Sequence, residues 1–385
     1  MNNIDVKDDA SSLFRNVHCI LGLPFESVDF NQAIENINAA IDNKKRCFLS
    51  TPNLNFVIAA QSNEKFYQSV IDSDLNVADG MPIIWVAKLL GLPLTERVAG
   101  SDLFASLSAI KTNDRKISVF LFGGGAGVAE RASEVLNSDG LGVSCCGFYD
   151  PGFVTVDEMS SPEVIQLINE ASPDFLLVAL GAEKGQAWIQ KNRQSLNAPI
   201  ISHLGAVINF IAGNVSRSPV IWARLGLEWI WRISQEPGLW RRYLSDGLAF
   251  IRLLIFNVLP LALYDRWLKR SGVLNVPASI SYASTDNCVI SISGCVHHAA
   301  LDPIKQSLDN VLENNKQDVI LNCSELVYID SAFIGSLMLF QRFLSEQHRT
   351  LYLQNVPPRI SRLLRLHLGR GSKLLWAKFY SIINI

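Results

Sequence analysis

Residues 75-LNVADGMPIIW-85 carry the pattern on which the fold turns. An apolar run ends in Asp79, Gly80 follows at once, and a second apolar run begins. The first run, 75–79, reads as a strand closed by an Asp-Gly turn. Asp79 is then either a turn residue that happens to be acidic or a carboxylate at the mouth of a site. The neighbouring segments bear on that choice.

Working outward, the same alternation runs from residue 17 to about 213. VHCILGL (17–23), CFLST (47–51), ISVFLF (117–122), GVSCCGFY (142–149), FLLVALG (175–181) and PIISHLG (199–205) read as strands. FNQAIENINAAID (30–42), capped by Asp29, VAERASEVLN (128–137) and AWIQKNRQSL (187–196) have helical periodicity. Continuous apolar strands separated by helices predict a mostly parallel sheet with helices on both faces. In such sheets ligands gather beyond the carboxyl ends of the strands. The segments there are 51-TPNLN-55, Asp79-Gly80, 123-GGGAG-127, 150-DPG-152, 181-GAEKGQ-186 and 203-HLG-205. Small, polar and acidic residues thus collect at one edge, and Asp79 is among them.

Within that set, Gly123, Gly124 and Gly125 lie between a strand and a helix, where glycine lets backbone N–H groups approach a phosphate. The loop lacks the Lys-Ser/Thr ending of a P-loop, and Val128 breaks a GxGxxG frame. A diphosphate cradle and a plain tight turn both remain open. Asp79 beside Thr51 and Asn53 makes a candidate general base for a hydroxyl nucleophile. The pair in 72-DSD-74 resembles a DxD metal clamp, but it precedes its strand and so falls at the opposite edge. It reads as a helix-end turn. No metal site is expected, and arginines or helix N-termini are left to neutralise a leaving phosphate. His203 reads as structural, and His297 and His298 are assigned no role.

A chain of 385 residues, 49% hydrophobic, is long enough for two domains with sizeable cores. A net charge of −2 gives no reason to expect nucleic acid. Charge is nonetheless uneven: residues 217–270 hold eight Arg and one Lys against four acids. Five of the eight Trp, at 222, 229, 231, 240 and 267, interleave with them. That mixture suits anionic lipid headgroups, and it equally suits core anchors of a helical lid. The apolar stretch 248-LAFIRLLIFNVLPLALY-264 contains Arg252 and Pro260 and is shorter than the ~20 residues of a spanning helix. It is expected to lie on a membrane surface or pack on protein. The seven cysteines show no zinc or redox spacing and read as free thiols of a cytoplasmic protein. The opening MNNIDVKDDA is polar, and neither a signal nor a transit peptide is expected.

After 271-SGVLNVPAS-279, a linker-like stretch, a small α/β pattern restarts. CVISISG (288–294), DVILNCS (318–324) and TLYLQNV (350–356) read as strands, SAFIGSLMLFQRFLSEQ (331–347) and PPRISRLLRLHLG (357–369) as helices.

With these residues in view, positions 17 to 250 resemble the WecG/TagA/CpsF glycosyltransferases. The resemblance rests on 51-TPN-53, 77-VADGMP-82, 96-ERVAGSDL-103, 121-LFGGG-125, 205-GAVINFIAGNVSRSP-219 and 226-GLEWIWRISQEPGLWRRYL-244. It implies transfer of a sugar, with inversion and without a metal or other cofactor, from a UDP-sugar to a polyprenyl-diphosphate-linked sugar at the inner membrane leaflet. It makes Asp79 the catalytic base and Thr51, Asn53 and Arg97 substrate-binding residues. Arg232, Arg241 and Arg242 become closing residues over the diphosphates. Where the family reads G-x-P-K-Q-E-x-W, this chain has 181-GAEKGQAW-188, so Gly185 replaces Gln and Gln186 takes the Glu position as a substrate-binding candidate. Met81-Pro82 replaces a glycine-rich continuation and suggests exopolysaccharide synthesis.

The segment 318-DVILNCSELVYIDSAFIGSLMLF-340 resembles a STAS domain, whose phosphorylatable serine falls on Ser331. Asp330 and Ser331 would also serve as helix caps. A protein partner is expected for that domain. The full expectation is a Rossmann-like core (1–213), a membrane-associating Arg/Trp-rich helical lid (214–270) and a STAS-like α/β domain (271–385). Two rivals are a nucleotide-cofactor oxidoreductase, with Asp150 as its ribose acid, and a non-catalytic scaffold for the STAS unit.

Overall fold

The computed structural model describes residues 13–109, 116–138, 142–219, 221–222, 226–284 and 288–369. The opening decapeptide and residues 370–385 lie outside that set. The thirteen strands among the described residues are numbered here in chain order. β1 (Val17–Ile20) and β2 (Leu23–Glu26) form an antiparallel hairpin. β3 (Cys47–Ser50), β4 (Leu75–Asn76), β5 (Ile117–Gly123), β6 (Val143–Tyr149), β7 (Phe175–Ala179) and β8 (Ile200–His203) form one parallel sheet in the order β4-β3-β8-β7-β5-β6.

Its side chains follow the two-residue period of a pleated sheet covered on both faces. Val119 and Leu121 of β5, with Phe175 and Leu177 of β7, join one apolar cluster with the helices Phe30–Asp42, Gly100–Ala109 and Val128–Ser138. Phe120, Phe122, Leu176 and Val178 join a second cluster with Pro162–Glu170 and Ala182–Asn192. There the Phe122 and Trp188 rings stack at 4.1 Å. The expected parallel sheet with flanking helices is what the structure holds.

Two local expectations change. Residues 17–23 are not a strand of the main sheet: Leu21 (φ 51°) and Gly22 (φ 88°) both take positive φ, and the chain reverses into β2. Two successive left-handed residues make the tight turn that suits a two-residue hairpin. The apolar stretch 248–264 is one part of a longer helix, Pro237–Arg270, of 34 residues. By length and composition alone that helix could cross a membrane, yet a third of its most apolar window is buried in the protein.

β9 (Ser279–Ser284), β10 (Cys288–Val296), β11 (Val319–Asn322), β12 (Leu326–Ile329) and β13 (Leu351–Gln354) form a second, mixed sheet, with β9 antiparallel to β10. The helix Ser331–Glu346 runs beneath it and is buried on nearly every side. One side meets its own sheet and the other meets the β1–β2 hairpin. A single apolar cluster consequently runs from Phe25 and Val70 through Phe250 and Leu261 to Phe333 and Leu363. The carboxyl-terminal unit is packed into the front half rather than tethered beside it.

Candidate active site

Asp79 reaches the carboxyl edge of the sheet just past β4. The ladder proper stops at Asn76, but the strand continues to bond across to the tip of β3. Val77 N donates to Ser50 O at 3.0 Å and Asp79 N to Pro52 O at 3.0 Å. Gly80 at φ 138° then turns the chain into the helix Met81–Leu90, a conformation that side-chain-bearing residues rarely adopt.

The half-buried carboxylate forms part of the wall of a cavity of about 710 Å³. Burial pushes its pKa up to about 7; Arg97 opposes the rise, Glu228 and Asp102 add to it, and the Gly100 backbone N–H donates against it. The net result is a carboxyl group that titrates near neutrality, the condition for an effective general base.

The other expected site residues fall into three groups. Asn53, Arg97, Arg232 and Arg242 share the cavity wall with Asp79. Asn53 caps the helix Leu54–Ser62, accepting from Asn55 N at 3.0 Å and Phe56 N at 3.3 Å. Arg97 is engaged twice, by Asp102 at 3.0 Å and by Glu228 of the helix Glu228–Gln235. It ties the Arg/Trp-rich segment down over Asp79. Arg232 lines the cavity, and its buried Nε has no hydrogen-bond partner among the described residues.

Thr51 stands just behind the wall, buried against Gly100 and Leu204. Arg241 is displaced outward: its guanidinium lies over the Trp240 ring at 5.5 Å and is off the cavity wall. Helix phase separates it from Arg242, since neighbouring residues diverge by about 100° around the axis.

The third group is remote. Gly123, Gly124 and Gly125 end β5, four strand positions from β4, which at ~4.8 Å per strand is roughly 19 Å. The expected convergence of Asp79 on the glycine turn does not occur, because β3, β8 and β7 intervene. Gln186 is also not brought to the cavity: it is fully buried and donates to Ser50 Oγ at 2.9 Å. The adjacent departure from the family pattern has a packing reason, since a Cβ at Gly185 would run into the His203 ring.

Several cavity residues carried no sequence-based expectation. Glu228 lies inside the quoted 226-GLEWIW segment without a role of its own. Asn55 donates to Asp246 at 3.2 Å, joining the helix Leu54–Ser62 to Trp240–Leu253. Burial raises the Asp246 pKa, opposed by Asn55 and Arg242. Spacing contained one signal for it: Asp246 follows Arg242 by four residues, one turn along the same helix face.

In the carboxyl-terminal unit, Asp330 caps the helix Ser331–Glu346, accepting from Phe333 N at 3.0 Å. Ser331 is 2% exposed, its Oγ 3.0 Å from His18 Nδ1 of β1. Ser331 and His18 also line a second, smaller cavity of about 300 Å³ together with Lys269, His298 and Asp330.

Both halves of the chain have known relatives. Residues 280–368 match the Mlab, STAS domain model. A protein of Bacillus spizizenii named N-acetylglucosaminyldiphosphoundecaprenol N-acetyl-beta-D-mannosaminyltransferase is 33% identical over 205 residues, 53% of this chain and 77% of the relative. Proteins of the same name from Bacillus subtilis and Staphylococcus aureus (strain MW2) are 29% identical over 205 residues and 26% over 226. Those matches cover 53% and 58% of this chain and 78% and 85% of the relatives. The WecG/TagA/CpsF family model matches residues 18–262, which include the sheet, Asp79 and the helices over the cavity, and the chain belongs to that family of glycosyl transferases.

Proposed function

We propose that this chain moves a sugar, with inversion, from a UDP-sugar to a polyprenyl-diphosphate-linked saccharide in surface or exopolysaccharide assembly. The observation that carries the reading is Asp79: a carboxyl titrating near 7, on the wall of a cavity that also presents Arg232 and Arg242. In the reaction, an acceptor hydroxyl attacks the anomeric carbon while the bond to the β-phosphate oxygen breaks. Asp79 takes the hydroxyl proton, and UDP leaves with its charge matched by Arg232 and Arg242. The donor lies along the strand tips, its nucleotide end toward the glycine turn of β5 and its sugar toward Asp79. That placement makes use of the separation between the two.

The lipid side of the reading rests on the helix Pro237–Arg270. Trp240, Leu244, Leu248, Ile251, Ile255, Leu259, Leu263 and Trp267 recur every three or four residues and are exposed. They make a stripe roughly 40 Å long at 1.5 Å per residue. Phe250, Leu253, Leu261 and Leu268 on the other face are buried in the protein. A helix packed on one side and apolar on the other lies in the interface of the inner leaflet, with Trp at both ends of the stripe. Leu244, Leu248 and Ile251 belong both to the stripe and to the cavity wall, so a lipid-borne acceptor would enter from the membrane side.

The relatives' names make UDP-N-acetylmannosamine the first donor to test. Purified full chain is incubated with a panel of UDP-sugars and a short-chain lipid-diphosphate acceptor, and UDP release and glycolipid product are measured. Acceptor-dependent release with one donor is the expected result. Absence of product with every UDP-sugar, under conditions where a curated relative turns over, would defeat the proposal.

A further inference from the structure

The 72-DSD-74 motif, which reads as a helix-end turn at the amino edge, is met by a residue from the other unit. Arg342 of the helix Ser331–Glu346 donates to Ser73 O at 2.9 Å and to Asp74 Oδ1 at 2.6 Å. Its side chain is 5% exposed, and Glu346 accepts from its Nε at 3.2 Å. The other Asp74 oxygen accepts from Phe48 N of β3 at 2.9 Å. A guanidinium from the carboxyl-terminal unit is therefore seated at the root of the edge strand β4.

β4 is a short edge strand, continued on both sides by single bonds from Asp74 N, Val77 N and Asp79 N to β3 and its tip. It pairs through two residues, Leu75 with Leu49 and Asn76 with Ser50. Side chains add to the hold on its amino end: Arg342, Arg15 just before the hairpin on Ser73 O, and Glu26 of β2 on Asn76 N. Asp79 is three residues past Asn76 on the same extended segment. The bonds at Ser73–Asp74 thus set where the segment that leads to the carboxylate begins. Reacting groups tolerate little displacement, since a misplacement of ~1 Å can cost about 100-fold in rate.

We propose that the STAS domain belongs to the catalytic unit in cis: Arg342 is a positioning residue that sets Asp79 through the 72–74 turn, and the Ser331-bearing face is taken by this chain's own hairpin rather than by a separate protein. The fit of that face is close. A Cβ at Gly335 would lie 2.9 Å from the Val17 carbonyl oxygen, and Lys305 Nζ donates to Arg15 O at 3.0 Å. The inference rests on Asp79 being the base, and the test separates the two ideas.

Full-length Arg342→Ala, Arg342→Lys and Gly335→Ala are assayed beside Asp79→Asn, with melting temperature recorded for each. Lysine keeps the charge but cannot reproduce the forked pair of bonds. Alanine at 335 leaves Arg342 intact and wedges the helix off β1. All three joint variants are expected to lose about 10-fold in kcat, with KM for the UDP-sugar changed less than about 2-fold. The acid limb of the pH profile should move below 7, because a displaced Asp79 is better hydrated. Simple loss of a cation would move it the other way. Amide exchange at 74–79 should quicken while that at 117–123 does not.

If the joint variants fold and keep parental kcat and pH limb while Asp79→Asn is inactive, the base stands and this proposal falls. Lower melting temperature with kcat and limb unchanged overturns it equally, and Arg342→Lys and Gly335→Ala decide the matter should Arg342→Ala not fold. Full activity in Asp79→Asn removes the base and the positioning role together.

Discussion

Arg97 and Glu228, 131 residues apart in the chain, form an ion pair that closes the helix Glu228–Gln235 over Asp79. The same guanidinium holds Asp102 at 3.0 Å, so one side chain gathers three acids around the cavity. Removing Glu228 as a charge takes away a group that raises the Asp79 pKa. Glu228→Gln is accordingly expected to shift the acid limb of kcat/KM to lower pH. A limb that stays put, or moves up, would show that Glu228 does not act on the base.

Asp79→Asn removes the base outright. A loss of about 10² to 10⁴ in kcat is expected, with UDP-sugar affinity by calorimetry little changed. In the parent enzyme kcat/KM should rise with pH through about 7, as the carboxyl loses its proton.

The same group bears on stability. The folded pKa, about 7, exceeds the ordinary 3.8, so its contribution is complete below about 3.8 and is lost as pH rises through 7. Asp79→Asn should therefore melt several degrees above the parent at pH 8, the gap closing by pH 4. Equal melting temperatures at both pH values would mean that the carboxylate is not held against burial.

The three appendage arginines should separate kinetically. Arg232→Ala and Arg242→Ala remove the cavity guanidiniums proposed to meet the leaving diphosphate and are expected to lower kcat/KM by at least 10-fold. Arg241→Ala, stacked outward on Trp240, should change it less than 2-fold on a water-soluble acceptor analogue. A large loss in Arg241→Ala with little in Arg242→Ala would reverse the assigned helix phase.

Ile255→Glu and Leu263→Glu put charge into the apolar stripe away from the cavity wall. Both should release the protein from anionic vesicles in flotation assays, while turnover of a short-chain acceptor persists. Undiminished vesicle binding would remove the stripe as the membrane contact.

Local sequence determined the elements. The β-branched runs, the Asp-Gly break after residue 78, the glycine-rich stop after β5 and the Asp330 cap are written in periodicity and turn chemistry, which act over a few residues. Strand order was decided by the tertiary structure, since a sheet is ordered by packing between segments distant in the chain. Three strands accordingly stand between the acid and the glycines, which share one sheet edge without meeting. The reversal at Leu21–Gly22, the burial of Gln186 behind Gly185 and His203, and the choice of Arg242 over Arg241 for the cavity wall are likewise products of close packing. The seating of Arg342 on Asp74, 268 residues away, belongs with them, because an ion pair between two folded units leaves no mark on the periodicity of either.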